Sequence, residues 1–141
     1  MASPKFYSFD PGVARALAGR VREPLEGAER GPLLETWVLH ELRAAIAFQN
    51  LGGDLHYWRT PSGSEVDFVW TRASRAVGIE VKPTARWRPA DGAALRGLVD
   101  DGTLRAGFGV YTGTAELRDG PVRVLPLVTF LRGLAAGDVL R

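Results

Sequence analysis

Glu80-Val81-Lys82 sets a carboxylate and an amine two residues apart, so in a strand both side chains point to the same face. Asp67 lies thirteen residues earlier, a separation that fits a hairpin-like return between neighbouring strands. Glu35 belongs to a preceding helical stretch and shares its apolar stripe with Leu39, Leu42 and Ile46. An acid on the core-facing side of a helix is costly without a partner. Ser62 and Gly63 fall in a turn between two strand-like runs and could bring backbone close to a phosphate. Phosphodiester hydrolysis needs such a set. Two or three carboxylates can hold Mg²⁺ (or Mn²⁺), a hard cation that prefers oxygen ligands. The metal neutralises the phosphate and lowers the pKa of a bound water, and a lysine beside it serves that water and the developing charge. Clustered carboxylates without a cation would repel strongly in a partly buried cleft, which is the physical reason to expect a metal.

The elements that must position these groups can be read in order. Lys5 to Phe9 alternates as a short strand. Asp10 and Pro11 then supply an N-cap and first helical residue, with Gly19 as the stop. Residues 20–31 are charged, carry Pro24, Gly27 and Gly31, and read as a linker. Pro32 opens the longest helix, which runs to about Asn50 and stops before Gly52-Gly53. Three strands follow: Leu55–Thr60, then Glu65–Thr71 after the turn at residues 61–64, then Ala76–Lys82, ended by Pro83. Alternation puts Val66, Phe68 and Trp70 on one face of the middle strand and Glu65, Asp67 and Val69 on the other. A helix over Pro89–Val99, strands at Ala106–Thr112 and Val122–Leu127, and a helix from Val128 to about Ala135 complete the chain. The fold class is therefore α/β: a central mixed sheet flanked by helices, in the core order helix, three strands, helix, strand.

Bulk properties narrow the classes without choosing one. The 141 residues suffice for one core. A hydrophobic fraction of 45% and a mean hydropathy of −0.06 are ordinary for a globular protein. No apolar run approaches the roughly 18 residues of a membrane helix, and the start lacks the regions of a signal peptide. Without cysteine there is no disulfide framework and no thiolate metal site, so a cytoplasmic protein is expected. The net charge is +2 with a pI of about 9.4, and most cations are arginine. That balance permits nucleic-acid binding without predicting it.

Other residues weigh less. His40 points away from the apolar stripe and His56 lies in an aromatic strand, so they make no metal pair. Two histidines and no cysteine argue against a nucleophilic triad. Trp37, Trp58 and Trp70 are simplest as core. Arg86-Trp87-Arg88 could stack a base and grip phosphate, or form a solvated loop with one anchoring aromatic. Arg59 and Arg72 flank the cleft strands as candidates for backbone contacts.

Asp67 followed by Glu80-x-Lys82 at the end of the next strand, on this order of elements, resembles the PD-(D/E)XK nuclease superfamily. Gly31-Pro-Leu-Leu-Glu35 is similar to the first-helix start of archaeal Holliday-junction-resolvase-like members. More closely, KFYSFDPGVARALAG, GPLLETWVLHEL, LHYWRTPSGSEVDFVW, GIEVKPTARW and FGVYTG…VRVLPLVTFL resemble the DUF4143 domain, which forms the C-terminal part of many bacterial and archaeal P-loop ATPases. The resemblance implies a restriction-endonuclease-like domain over residues 31–141 behind an N-terminal appendage of residues 1–30. It implies Glu35, Asp67 and Glu80 as metal ligands and Lys82 as the catalytic lysine, with DNA as substrate, a P-loop ATPase as partner and homodimerisation as an option. No glycine-rich nucleotide loop of the Walker type stands in this sequence. Glu65-Val66 precedes Asp67 where the pattern has proline, so Glu65 could serve as an additional or substitute ligand. The rival expectation is a catalytically silent module of the same fold that binds nucleic acid or docks on the ATPase.

Overall fold

A computed structural model describes residues 4–141, so the first three residues of the expected appendage lie outside it. Asp10 caps helix α1 (Pro11–Leu17) by accepting the Val13 N–H at 3.0 Å, with Pro11 in the first turn, and Gly19 follows in the left-handed region at φ 70°. Helix α2 spans Gly27–Phe48 and so begins five residues before Pro32, inside the stretch read as linker. Glu29 makes this start viable: its carboxylate accepts the Glu26 N–H at 3.1 Å and pairs with Arg15 and Arg20, which ties the helix start back to α1. Lys5 to Phe9, expected as a strand, runs without a strand partner.

The strands are β1 (Asp54–Arg59), β2 (Glu65–Arg72), β3 (Arg75–Lys82), β4 (Ala106–Tyr111), β5 (Leu117–Asp119) and β6 (Val122–Pro126). They form one mixed sheet in the order β1-β2-β3-β4-β6-β5. Neighbours β1, β2 and β3 are antiparallel, β3, β4 and β6 run parallel, and β5 returns antiparallel on β6. The parallel crossover from β3 to β4 carries a 3₁₀ turn (Pro89–Gly92) and helix α3 (Ala93–Asp100). Helix α4 (Leu127–Ala135) follows β6. The expected α/β class with a mixed sheet flanked by helices is therefore found.

Two apolar layers sandwich the sheet. On one side Val38 and Leu42 of α2 and Phe130 and Leu134 of α4 pack on Phe68, Trp70, Val77, Ile79 and Val81. On the other, Leu95 and Leu98 of α3 pack on Val66, Val69, Val122 and Val124. Simple alternation would keep Val66, Phe68 and Trp70 together, but Val66 lies on the α3 side. The ladder explains it: His56 pairs with Val69 and Trp58 with Val66, so β2 spends three residues against two of β1. The extra residue is a bulge at Asp67–Phe68, and a bulge re-aims the side chains around it.

Candidate functional site

The β2–β3 ladder is regular from Arg72↔Arg75 to Phe68↔Ile79 and then stops. Beyond that point the two strands bond through side chains. The Val81 N–H donates to Asp67 Oδ2 at 2.8 Å, and the Asp67 N–H donates to Glu80 Oε2 at 3.2 Å. Each carboxylate takes over an amide of the opposing strand, so the split is satisfied while two acids sit at 3% exposure.

Charge runs outward from this pair in both directions. Lys82 Nζ lies 2.6 Å from Glu80 Oε1. Alternation puts both on the α3 side, with Gly78, whose missing Cβ faces Leu95 and Leu104. On the α2 side Lys5 Nζ lies 2.9 Å from Asp67 Oδ1 and 3.4 Å from Glu35 Oε2, and the Tyr7 hydroxyl donates to that same Glu35 oxygen at 3.4 Å. The chain of groups is Glu35, Lys5, Asp67, Glu80, Lys82. A line of polar contacts links the four expected catalytic residues, but Glu80 and Lys82 stand on the α3 side and Glu35 meets Asp67 only through Lys5 on the α2 side, so the three expected metal ligands do not gather at one point. A pocket of about 430 Å³, lined by Lys5, Tyr7, Tyr57, His56, Arg43 and Asp67 among others, opens the α2 side of this chain to solvent.

The protonation of these groups follows from burial and neighbours. Burial and then the Asp67 charge push the Glu80 carboxyl up to about 7, against the pull of Lys82. The same two causes raise Glu35, with Lys5 opposing. Burial works against both ammonium groups, yet Asp67 holds Lys5 charged and Glu80 holds Lys82 charged, each above the ordinary lysine range. Burial pushes the Tyr7 hydroxyl up to about 12, so it stays a donor to Glu35.

The expected nucleic-acid contacts are spread wider. Arg59 ends β1 and is exposed, as are Ser62 and Gly63 in the turn that follows, where Gly63 sits at φ 93°. Arg86 and Arg88 are exposed on either side of Trp87. Trp87 itself takes the anchoring alternative: its indole N–H donates to Asp119 Oδ2 at 2.8 Å, and its ring fills the space above Gly109. Glu65 accepts the Tyr57 hydroxyl at 2.8 Å. Trp58 and Trp70 pack inward, whereas Trp37 is 45% exposed and bonded to Glu41, which corrects its reading as core. His40 bonds the Ser8 carbonyl oxygen and His56 the Thr71 hydroxyl, so each has a structural partner.

Lys5 and Tyr7 were not among the candidates. One signal pointed to Lys5: the chain has 18 lysines and arginines, and its only lysines are Lys5 and Lys82. Lysine differs from the arginines in carrying a compact point charge on a flexible stem instead of a planar fork.

Among the described residues no three His, Cys, Asp or Glu side chains converge as a ready metal cradle. The donor set is nonetheless all oxygen, and the place between Glu35 and Asp67 already holds a cation, the Lys5 ammonium. Mg²⁺ commonly takes only one or two protein carboxylates and completes its shell with water and phosphate. The residues present therefore suit a divalent ion at this place in exchange for Lys5. No described helix is long and apolar enough to cross a membrane.

A protein-family model described as "Domain of unknown function (DUF4143)" matches residues 30–130. No curated protein and no solved structure matches the chain.

Proposed function

From the premise that this chain belongs to the DUF4143 family, we propose that it is a nuclease-like domain of PD-(D/E)XK type that hydrolyses phosphodiester bonds in DNA. The observation that carries this reading is the split end of β2–β3, where buried Asp67 and Glu80 bond each other's strand with Lys82 on Glu80. Buried acids placed off the regular ladder, with a shifted carboxyl and a charged amine beside them, are what catalysis needs and what stability alone would avoid.

Asp67 and Glu35 on the α2 side would supply the carboxylates for Mg²⁺ or Mn²⁺, while Glu80, across the split, holds Lys82. The ion, when bound, would offset phosphate charge and acidify a water. Lys82 is held charged by Glu80, so its part is to stabilise negative charge developing on the phosphate oxygens rather than to take a proton. Arg59 and the Ser62-Gly63 turn on one flank and Arg86 and Arg88 on the other are exposed cations and backbone donors for the phosphate chain. The partner proposed from the sequence resemblance is a P-loop ATPase domain, within the cytoplasm.

The test is cleavage of plasmid and branched DNA with Mg²⁺ or Mn²⁺, comparing the native chain with Asp67→Ala. Cleavage by the native chain alone supports the reading, and equal inertness of both chains while both still bind DNA ends it. One observation favours a second reading, a silent binding module of the same fold: the cation place between Glu35 and Asp67 is filled by Lys5. That reading predicts the inert outcome, with salt-sensitive DNA binding retained.

A further inference from the structure

We propose that the Lys5 ammonium is a tethered occupant of the divalent-cation place, so that a metal ion enters between Glu35 and Asp67 only as Lys5 withdraws. The inference rests on the metal-dependent reading above and adds a gate to it. Lys5 Nζ sits 2.9 Å from Asp67 Oδ1 and 3.4 Å from Glu35 Oε2, so one monovalent charge bridges the two carboxylates that would share a metal. Asp67 is 3% exposed and could not stand there unpaired at small cost, so a resident counter-ion is needed whenever no metal is bound. Lys5 meets that need reversibly. It is carried by residues 4–10, which pair with no strand, and its neighbours hold the backbone rather than the ammonium: Tyr7 packs on Phe68 at 6.0 Å between ring centroids and bonds Glu35, and the Ser8 carbonyl oxygen meets His40 at 2.9 Å.

A way out exists for the side chain. Lys5 lines the solvent-open pocket of about 430 Å³, and its Nζ already lies 4.7 Å from the centroid of the Tyr57 ring. That ring face offers a second berth for a displaced ammonium. A divalent ion carries twice the charge of the ammonium it replaces, so phosphate and metal together favour the exchange. Arginine at position 5 would bring a wider, planar head that bonds both carboxylates in a fixed fork and resists displacement.

Mn²⁺ binding to the full chain, followed by electron paramagnetic resonance of the free ion, tests the gate. Lys5→Gln should bind Mn²⁺ at least about tenfold more tightly than the native chain, the mark of a removed competitor charge. Adding Asp67→Asn to it should abolish the gain. Equal binding by native and Lys5→Gln chains, including none by either, overturns the proposal. If Lys5→Gln does not fold, the native chain decides. Acetylation of Lys5 by an N-hydroxysuccinimide ester, read by mass spectrometry, should quicken several-fold in millimolar Mn²⁺ at constant ionic strength, and an unchanged rate overturns the proposal. Neither readout involves DNA, so failure of the gate and failure of the nuclease reading remain separate results.

Discussion

The two ends of the β2–β3 pair are built from the same two strands and differ in almost everything else. At the turn end, from Phe68↔Ile79 to Arg72↔Arg75, amides meet carbonyls in register and the outermost side chains are exposed arginines. At the other end the ladder gives way to two buried carboxylates that each accept the opposing strand's amide, flanked by Lys5 and Lys82. The regular end is held by backbone hydrogen bonds and the apolar packing of Phe68, Trp70, Val77 and Ile79, and meets water only at its last residues. The split end places charge where burial opposes it, and it stands only because every carboxylate oxygen of the Asp67–Glu80 pair has a donor. A sheet that opens in this way has exchanged backbone pairing for buried charge.

Substitutions should break the contrast unequally. The largest effect is expected at Asp67→Ala, which leaves the Val81 N–H without its acceptor and Lys5 without its closest counter-ion. Removing one member of such a buried pair costs about 3–5 kcal/mol, read as a shifted urea midpoint.

Next comes a pH effect at Glu80. Its carboxyl, near 7 in the fold against an ordinary 4.5, binds its proton more tightly folded than unfolded. Its contribution to stability is therefore complete below about pH 4.5 and is lost as pH rises through 7. The size is on the order of 3 kcal/mol. Glu80→Gln, neutral at every pH, should flatten that part of the stability profile measured by urea denaturation.

Gly109→Ala should cost about 1–3 kcal/mol in the same assay, because the new Cβ would meet the Trp87 ring at 2.5 Å while the charged split stays untouched. At the regular end, Arg72→Ala and Arg75→Ala should each move stability by less than about 0.5 kcal/mol. A cost there as large as at Asp67 would erase the distinction between the two ends.

Much of this architecture could be read from residues in order. Asp10-Pro11 caps and opens α1, the β1 to β3 runs lie within a residue or two of their expected bounds, and Pro83 closes the third. The two-residue step in Glu80-Val81-Lys82 puts its charges together as expected, since the period of a strand is local. What escaped reading has non-local causes. Helix α2 starts at Gly27 because Glu29 caps it and pairs with arginines of the preceding segment, which overrides the usual opening role of Pro32. Strand β5, three residues long and mostly exposed, exists through its pairing with β6 and has no apolar pattern of its own. Trp37 faces out because the buried line of α2 runs through Val38, Leu42 and Ala45.

The sequence by itself determined the α/β order of elements and the residue types of the charged set, because helix and strand periods and turn chemistry act over a few neighbours. Only the tertiary structure decided where those charges meet. The bulge at Asp67–Phe68 depends on the register against β1, and that register turns Asp67 toward the α2 side within reach of Lys5, 62 residues away. Side-chain aim at a bulge and contact between distant segments are set by packing, which no stretch of chain can specify without the partners it packs against.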